Sequence, residues 1–227
     1  MIFPNPHTQR FFKKYCSKEW LPLIAHHQKD LHIEKNKIII HQADPVAGIF
    51  ILNKGKVKVV SHFQTKEERI LRLAGDQVII GHRGLFLKHY TISVVALTAC
   101  DISFIPIKLF FQLYKANPAF NQFMLEFLIH ELQESEEQQF ILTIDNVKQR
   151  IAYCLIKLVR TFGYENKTSK QLSFTLSRKD IAILVNTTYE SVIRTLSVFE
   201  KEKLIQCVGK NIVILNENKL RAIMAGE

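Results

Sequence analysis

The chain has 227 residues, a formal net charge of +10, 47% hydrophobic residues and four cysteines. Such a length and apolar content describe one large folded domain or two small ones and exclude a disordered chain. The cysteines, at 16, 100, 154 and 207, form no C-x-x-C pair and no Cys/His ligand spacing, which argues against a zinc site, an iron–sulfur cluster or a disulfide framework.

The charge is uneven. The first 143 residues hold 17 basic against 13 acidic side chains, and the last 84 hold 14 against 8. The shorter part is the denser in positive charge and suits a polyanionic partner. No apolar run is long enough to span a bilayer, and the start, MIFPNPHTQRFFKKYC, has no signal-peptide apolar region. A cytoplasmic protein without membrane contact is expected.

In chain order, residues 8–30 read as short helical pieces, with Phe11, Phe12 and Tyr15, then Trp20, Leu23 and Ile24, at helical spacing. From 31 to 107 the texture becomes β-rich: KIIIHQ, GIFILNKG, KVKVVSHF, RILRLAG, QVIIG, TISVVALTA and DISFIPI follow one another. Asp44-Pro45, Asn53-Lys54-Gly55 and Gly75-Asp76 separate them as turns. Many short strands at this spacing predict an antiparallel sandwich or barrel. Val57 and Val59 alternate with Lys56 and Lys58, so one face of that strand is expected in the core and the other in water. Cys100 and Cys154 lie in apolar segments and read as inert core thiols.

Residues 108–142 read as helix: KLFFQLYKA, then a longer one that starts at Pro118. Leu125, Leu128, Leu132, Ser135, Gln139 and Leu142 step by 3, 4, 3, 4, 3 along the longer helix. A heptad-like seam of this kind is what two helices need to pack along each other, and a second copy of the chain is the expected partner. Burial of the whole helix in its own core is the alternative. A second stripe, Phe120, Phe123, Met124 and Phe127, lies on another face and is expected to cover the barrel. Thr143 or Asp145 then caps a helix over VKQRIAYCLIKLVRTFG, which Gly163 stops, and a polar loop, YENKTSK, follows.

The stretch LSRKDIAILVNTTYESVIRTLSVF, residues 176–199, is two short amphipathic helices around a polar break. Ser177 caps the first, with Asp180 as the fourth member of a capping-box variant. Its inner face is Ile181, Leu184 and Val185; Asn186-Thr187-Thr188 makes the turn; the second helix turns Val192, Leu196 and Phe199 inward. Tyr189, Glu190, Ile193, Arg194 and Ser197 face outward. LIQCV-GK-NIVIL reads as a hairpin turning at Gly209-Lys210, to which QLSFTL adds a third strand. The whole predicts a winged helix-turn-helix, whose second helix enters the major groove of double-stranded DNA. Arg194 bonds guanine there, Glu190 accepts from the cytosine amino group, and Thr187, Thr188 and Ser191 hydroxyls hold phosphates. Arg178, Tyr189 and Lys210 complete the expected DNA-contacting set. The competing interpretation is a surface ion pair between Glu190 and Arg194, with Glu190 also closing a T-x-x-E box on Thr187.

At these residues the sequence resembles the cyclic-AMP receptor / fumarate–nitrate regulator family of bacterial transcription factors. Ser177, Arg178, Asp180, Ile181, Ala182, Glu190, Ser191, Val192, Arg194, Leu196, Leu204 and Ile205 match its helix-turn-helix pattern, and Asn186 replaces the usual turn glycine. GIFILNKGKVKVV is similar to the family's sensor strands, with Gly55 at its glycine, and Gly75-Asp76 to its later turn. The resemblance implies an α+β chain: an N-terminal double-stranded β-helix (a cyclic-nucleotide-binding-like jelly roll) over 1–115, a long dimerisation helix over 116–143 and a C-terminal winged helix-turn-helix over 144–227. It also implies a homodimer on inverted-repeat DNA, with RNA polymerase as a further partner.

Cyclic-nucleotide binders of the family carry a Glu for the ribose and an Arg for the phosphate. Here the segment is IIGHRGLFLKHYTISVVA, with His82 at the Glu position and Tyr90 or Ile92 at the Arg position. Losing both leaves a nucleotide's polar groups unpaired, so cyclic AMP is not expected as effector. Gly81, His82, Arg83, Lys88, Tyr90 and Thr91 remain the expected effector pocket, for another anion, and no cofactor is evident. Two other classes compete. One is a signalling module acting through protein contacts, which the basic C-terminal part disfavours. The other is a cupin-like metalloenzyme, which needs an H-x-H pair absent from the nine histidines. No metal site and no catalytic residue is predicted.

Overall fold

A computed structural model describes residues 6–62, 68–166 and 168–227. The chain forms two compact units: Met1–Glu67 with Leu71–Gln133, and Glu68–Ile70 with Glu134–Glu227. None of the helices among the described residues is long and apolar enough to cross a membrane.

The first unit opens with α1 (Pro6–Tyr15), a 3-10 turn and α2 (Leu21–His27). Eight strands follow: β1 (Lys29–Ile33), β2 (Ile38–Ile40), β3 (Gly48–Lys54), β4 (Val57–Ser61), β5 (Arg69–Ala74), β6 (Val78–Ile80), β7 (Ser93–Ala96) and β8 (Cys100–Pro106). They make two four-stranded sheets, ordered β1-β8-β3-β6 and β2-β7-β4-β5. Leu52, Val57, Val59, Ala74, Ile80, Val94 and Ile102 fill the space between the sheets. The alternate residues of the first sheet, Ile49, Ile51, Ile79 and Ile105, form a second core with Phe12, Ile24, Leu109, Phe110, Phe120 and Met124 from the helices. Strand β3 is therefore buried on both faces, which is why GIFIL is an unbroken apolar run.

Two details differ from expectation and a third adds to it. The sequence KDLHI was not legible as a strand, yet β1 pairs antiparallel with β8; its residues are nearly all exposed, so an edge strand shows no apolar alternation. Val60, expected in water by the alternation of Val57 and Val59, is buried, so the end of β4 is covered on both faces. At the Gly75-Asp76 turn the left-handed residue is Gln77, φ 63°. Asp76 instead serves the turn between β3 and β4, its Oδ1 accepting from the Gly55 N–H at 2.8 Å. Gly55 has φ 123°, and a Cβ there would lie 2.5 Å from Cys100 Sγ, so only glycine fits.

After α3 (Ile107–Ala116), α4 (Pro118–Leu142) is one continuous helix, with Pro118 at the first position, where a missing N–H costs nothing. Phe120, Met124, Phe123 and Phe127 join the core as expected. Leu125 (59% exposed) and Leu132 (60%) lie open on another face with Leu128, and Ile129 and Phe140 (67%) widen that apolar surface. Ser135 and Leu142 are half-covered and Gln139 is exposed.

Carrying the inward stripe of α4 on by one turn from Phe127 brings Glu131. Its carboxylate lies 2.6 Å from Arg72 Nε, 3.4 Å from His82 Nε2 and 3.8 Å from an Arg83 guanidinium nitrogen. The His82 ring packs edge-on to Phe127 at 4.8 Å. Burial alone raises the Glu131 carboxyl, but its contact with His82 and the charges of Arg72, His82 and Arg83 outweigh that and hold it below its ordinary value. Burial lowers His82, and the nearby Arg72 and Arg83 oppose the partial rescue by Glu131.

Two outcomes are expected. Glu131→Ala leaves two guanidinium groups without their carboxylate and should cost about 3 kcal/mol in denaturant unfolding at neutral pH. Both His82 and Glu131 bind protons less readily folded than unfolded, so stability on their account rises with pH. It is complete above the ordinary imidazole value of 6.5, falls below it as His82 is forced to charge, and falls again below the ordinary carboxyl value of 4.5. Thermal melts should decline from pH 7 to pH 5, and His82→Gln should flatten that first decline.

Candidate nucleic-acid interface

The second unit is built on α5 (Val147–Phe162), whose residues Ile151 to Leu158 are buried all round. Asn146 caps it, accepting from the Lys148 N–H at 2.9 Å and the Gln149 N–H at 3.4 Å; neither Thr143 nor Asp145, the caps expected from sequence, does so. Thr143 spends its hydroxyl on the Phe140 carbonyl. Gly163 ends the helix as expected, at φ 71°. One cover of α5 went unpredicted: α8 (Glu217–Ala225), capped by Asn216, packs along it and buries Leu220. The apolar residues of ENKLRAIMA cluster at its end, Ala222 to Ala225, and only Leu220 is fully buried, so no helical stripe stood out.

Between them lie α6 (Arg178–Leu184), α7 (Tyr189–Lys201), β9 (Ile205–Val208) and β10 (Asn211–Ile214). Ser177 Oγ accepts from the Asp180 N–H at 3.0 Å and donates to the Asp180 carboxylate at 2.7 Å. Ile181, Ala182, Leu184 and Val185 face the core. Asn186 then takes a left-handed conformation, φ 50°, which explains how it stands in for glycine: Asn tolerates that region better than most side chains. Thr188 caps α7, accepting from the Ser191 N–H at 3.1 Å and donating to Ser191 Oγ at 3.0 Å. The capping pair is thus Thr188–Ser191, and the T-x-x-E box of Thr187 and Glu190 does not form. Val192, Leu196 and Phe199 are buried as expected, joined by Thr195.

Tyr189, Glu190 and Arg194 stand exposed on the outer face, with Ser191 and Thr187 half-covered. Glu190 and Arg194 form no ion pair with each other or with any described residue, so the surface salt bridge is not made and both charges are free for a partner. Arg178 ties α6 to the β9–β10 hairpin, one guanidinium nitrogen 3.5 Å from the Lys210 carbonyl and the other 3.6 Å from Cys207 Sγ. Lys210 itself is exposed at the hairpin tip, where Gly209 has φ 59°. The hairpin has two strands; QLSFTL contributes only isolated bridges, Gln171 to Val213 and Leu172 to Tyr164, and not a third.

A residue absent from the sequence reading holds the turn. Arg150, on α5, donates from Nε to the Val185 carbonyl at 2.8 Å and from Nη2 to the Asn186 carbonyl at 3.2 Å. Its Nη1 donates to the Asp145 carbonyl at 3.2 Å and also to that of Ile144. The signal was present: position 150 lies three after Val147 and four before Cys154, a cation on an apolar stripe.

The expected effector residues are placed separately. His82 and Arg83 turn to Glu131. Tyr90 is buried, and its hydroxyl donates to the Gly48 carbonyl at 2.6 Å. Gly81 caps a 3-10 turn at φ 85°, while Lys88 and Thr91 face solvent. Of the positions where the resemblance expects the Glu and Arg contacts of a nucleotide, His82 lies against Glu131 and Tyr90 bonds Gly48, while Ile92, the other candidate for the Arg position, is buried. The cysteines lie apart: Cys16, Cys100 and Cys154 are buried and Cys207 is partly covered. Burial pushes the Cys154 thiol up to about 12. No group of three or more His, Cys, Asp or Glu suited to a metal ion occurs among the described residues.

Comparison with known proteins agrees with both units. Residues 30–117 match the cyclic nucleotide-binding domain, and residues 149–223 match the Crp-like helix-turn-helix domain. Electron transport regulator A of Shewanella oneidensis is 27% identical over 196 residues, 86% of this chain and 77% of that one. The transcriptional activator protein anr of Pseudomonas aeruginosa is 24% identical over 195 residues, 86% of this chain and 80% of that one. Among solved structures, FixK2 from Bradyrhizobium japonicum superposes with TM-score 0.76 at 16% identity, covering 86% of this chain and 96% of that one. A CooA variant from Carboxydothermus hydrogenoformans gives TM-score 0.76 at 18% identity and covers 98% of each chain. With a jelly roll, a long helix and this helix-turn-helix in order, the chain belongs to the Crp/Fnr family of transcription regulators.

Proposed function

We propose that the chain acts in the cytoplasm as a homodimeric, sequence-specific regulator in which each copy sets α7 into the major groove of one half of an inverted repeat. In this reading 1–115 is the sensor domain, 116–143 the dimerisation helix and 144–227 the DNA-binding domain. The observation that carries it is the pair Glu190 and Arg194, exposed and unspent on the outer face of a helix whose turn is clamped by Arg150. Guanine offers two acceptors to Arg194, and the cytosine amino group donates to Glu190. Phosphate contacts fall to Thr187, Ser191, Arg178 and Lys210, which surround that face; Thr188 brings its main chain, its hydroxyl being used in the cap. The open leucine face of α4 meets the same face of the second copy, and half-sites about one helical turn apart follow from the two-fold axis. RNA polymerase is the further partner that this class of regulator implies. The sensor domain is read as unresponsive to cyclic AMP, since His82 stands at the Glu position and lies against Glu131, and Tyr90 or Ile92 stands at the Arg position, Tyr90 bonded to Gly48 and Ile92 buried; an anionic effector at Gly81–Thr91 remains its open role. No catalytic step is assigned.

Selection of bound sequences from random DNA tests the reading; an inverted repeat should emerge. Arg194→Ala should cost roughly 1–3 kcal/mol and relax preference at one base pair, whereas affinity and preference left unchanged would remove α7 from the groove. Wild-type binding should weaken steeply between low and moderate salt, as phosphate contacts release counterions; a salt-insensitive complex points to protein contacts instead. Arg150→Ala should lower affinity for every DNA sequence alike, because it loosens the turn and touches no base. Leu132→Glu sets like charges across the paired helices and should shift sedimentation from dimer to monomer.

A further inference from the structure

Ile193 lies on the outer face of α7, 40% exposed. At about 3.6 residues per turn, Tyr189, Ile193, Ser197, Glu190 and Arg194 follow one another round an arc of about 140°. Val192, Thr195, Leu196 and Phe199 fill the opposite side and are buried, so the core beneath the helix has no use for Ile193. A lone exposed isoleucine elsewhere would need no explanation. This one forms a strip with Tyr189 (52% exposed), one turn earlier, on the very arc whose other members are hydroxyl-bearing or ionised.

An α-helix also nearly fixes χ1 of a β-branched side chain. The Ile193 methyl groups are therefore presented in one arrangement, with little rotamer freedom to lose on contact. The apolar feature of the major groove is the C5 methyl of thymine, and apolar side chains are the groups that read it. Arg194 and Glu190 lie to one side of Ile193 on the arc, so the base pair it meets neighbours the one they engage.

We propose that Ile193 is a specificity-determining residue that reads the C5 methyl group of a thymine beside the base pair engaged by Glu190 and Arg194. The inference rests on α7 being the groove-entering helix and names what part of its surface reads. It adds an apolar component to a recognition face otherwise made of charge and hydroxyl groups, and it makes one thymine of each half-site count for its methyl rather than its hydrogen-bonding edge.

Deoxyuridine differs from thymidine only by that methyl, which gives a direct test. The selected operator is synthesised with each thymine replaced in turn, and affinities are measured for the full-length wild type, Ile193→Ala and Ile193→Val. At one thymine per half-site the wild type should lose about four-fold, the worth of one buried methyl group, and about fifteen-fold with both half-sites replaced. Ile193→Ala should bind the two operators equally, and Ile193→Val, short of one methylene, should fall between. Wild-type protein that binds selectively yet is indifferent to deoxyuridine at every thymine overturns the proposal alone. So does an undiminished thymine preference in Ile193→Ala. Wild-type protein without any sequence-selective binding overturns the groove assignment of α7 as well.

Discussion

One guanidinium group fixes the geometry on which the proposed reading surface depends. Arg150 projects from α5 and donates to the carbonyls of Ile144, Asp145, Val185 and Asn186. These are the groups that helix ends and turns leave without partners: the first two lead into α5, and the last two close α6. A planar fork with five donors suits such a cluster, and a lysine, with a single flexible charge, would not replace it. The left-handed step at Asn186 can persist because both neighbouring carbonyls are held. The direction in which α7 leaves the turn, and hence the placement of Glu190, Ile193 and Arg194, follows from that clamp.

The long helix meets a second constraint. Its inward stripe begins wholly apolar, with Phe120 and Met124, and then turns polar at Glu131 and Gln138. Each polar residue is answered: Glu131 by Arg72, His82 and Arg83, and Gln138 by the Ile70 carbonyl at 2.9 Å. Two basic residues of the segment expected to hold an effector are thus committed to a carboxylate of their own chain. A buried ion pair of this kind adds little net stability but makes its partners hard to separate, so it sets which strand residues face which turn of α4.

Much of the architecture was legible because its signals were periodic. The stripe from Phe120 to Phe127 and the spacing of Ile181, Leu184, Val192, Leu196 and Phe199 repeat with the period of a helix, and the strands from β3 to β8 show as short apolar runs bounded by turn residues. What failed to show lacked such a period. The edge strand KDLHI is polar on both faces, and α8 buries few side chains for its length. The caps Asn146 and Thr188 each stood beside an equally suitable neighbour, and composition could not choose between them. For the proposed recognition face, residue type and spacing set Glu190 and Arg194 on the outer side of α7, where both are exposed. Arg150 and Glu131 were visible only as charges on apolar stripes, where the pattern marks an anomaly without naming the partner that resolves it.

The packing of α8 against α5 has a bearing on how the protein is made. Helix α5 is covered on every side, and one of those covers is the segment Glu217–Ala225. During synthesis the jelly roll emerges first and has all its strands by residue 106. The carrier of the Arg150 fork must wait for the polypeptide some sixty residues beyond its own C-terminal glycine to clear the ribosome. A nascent chain would therefore complete its jelly roll well before its helix-turn-helix.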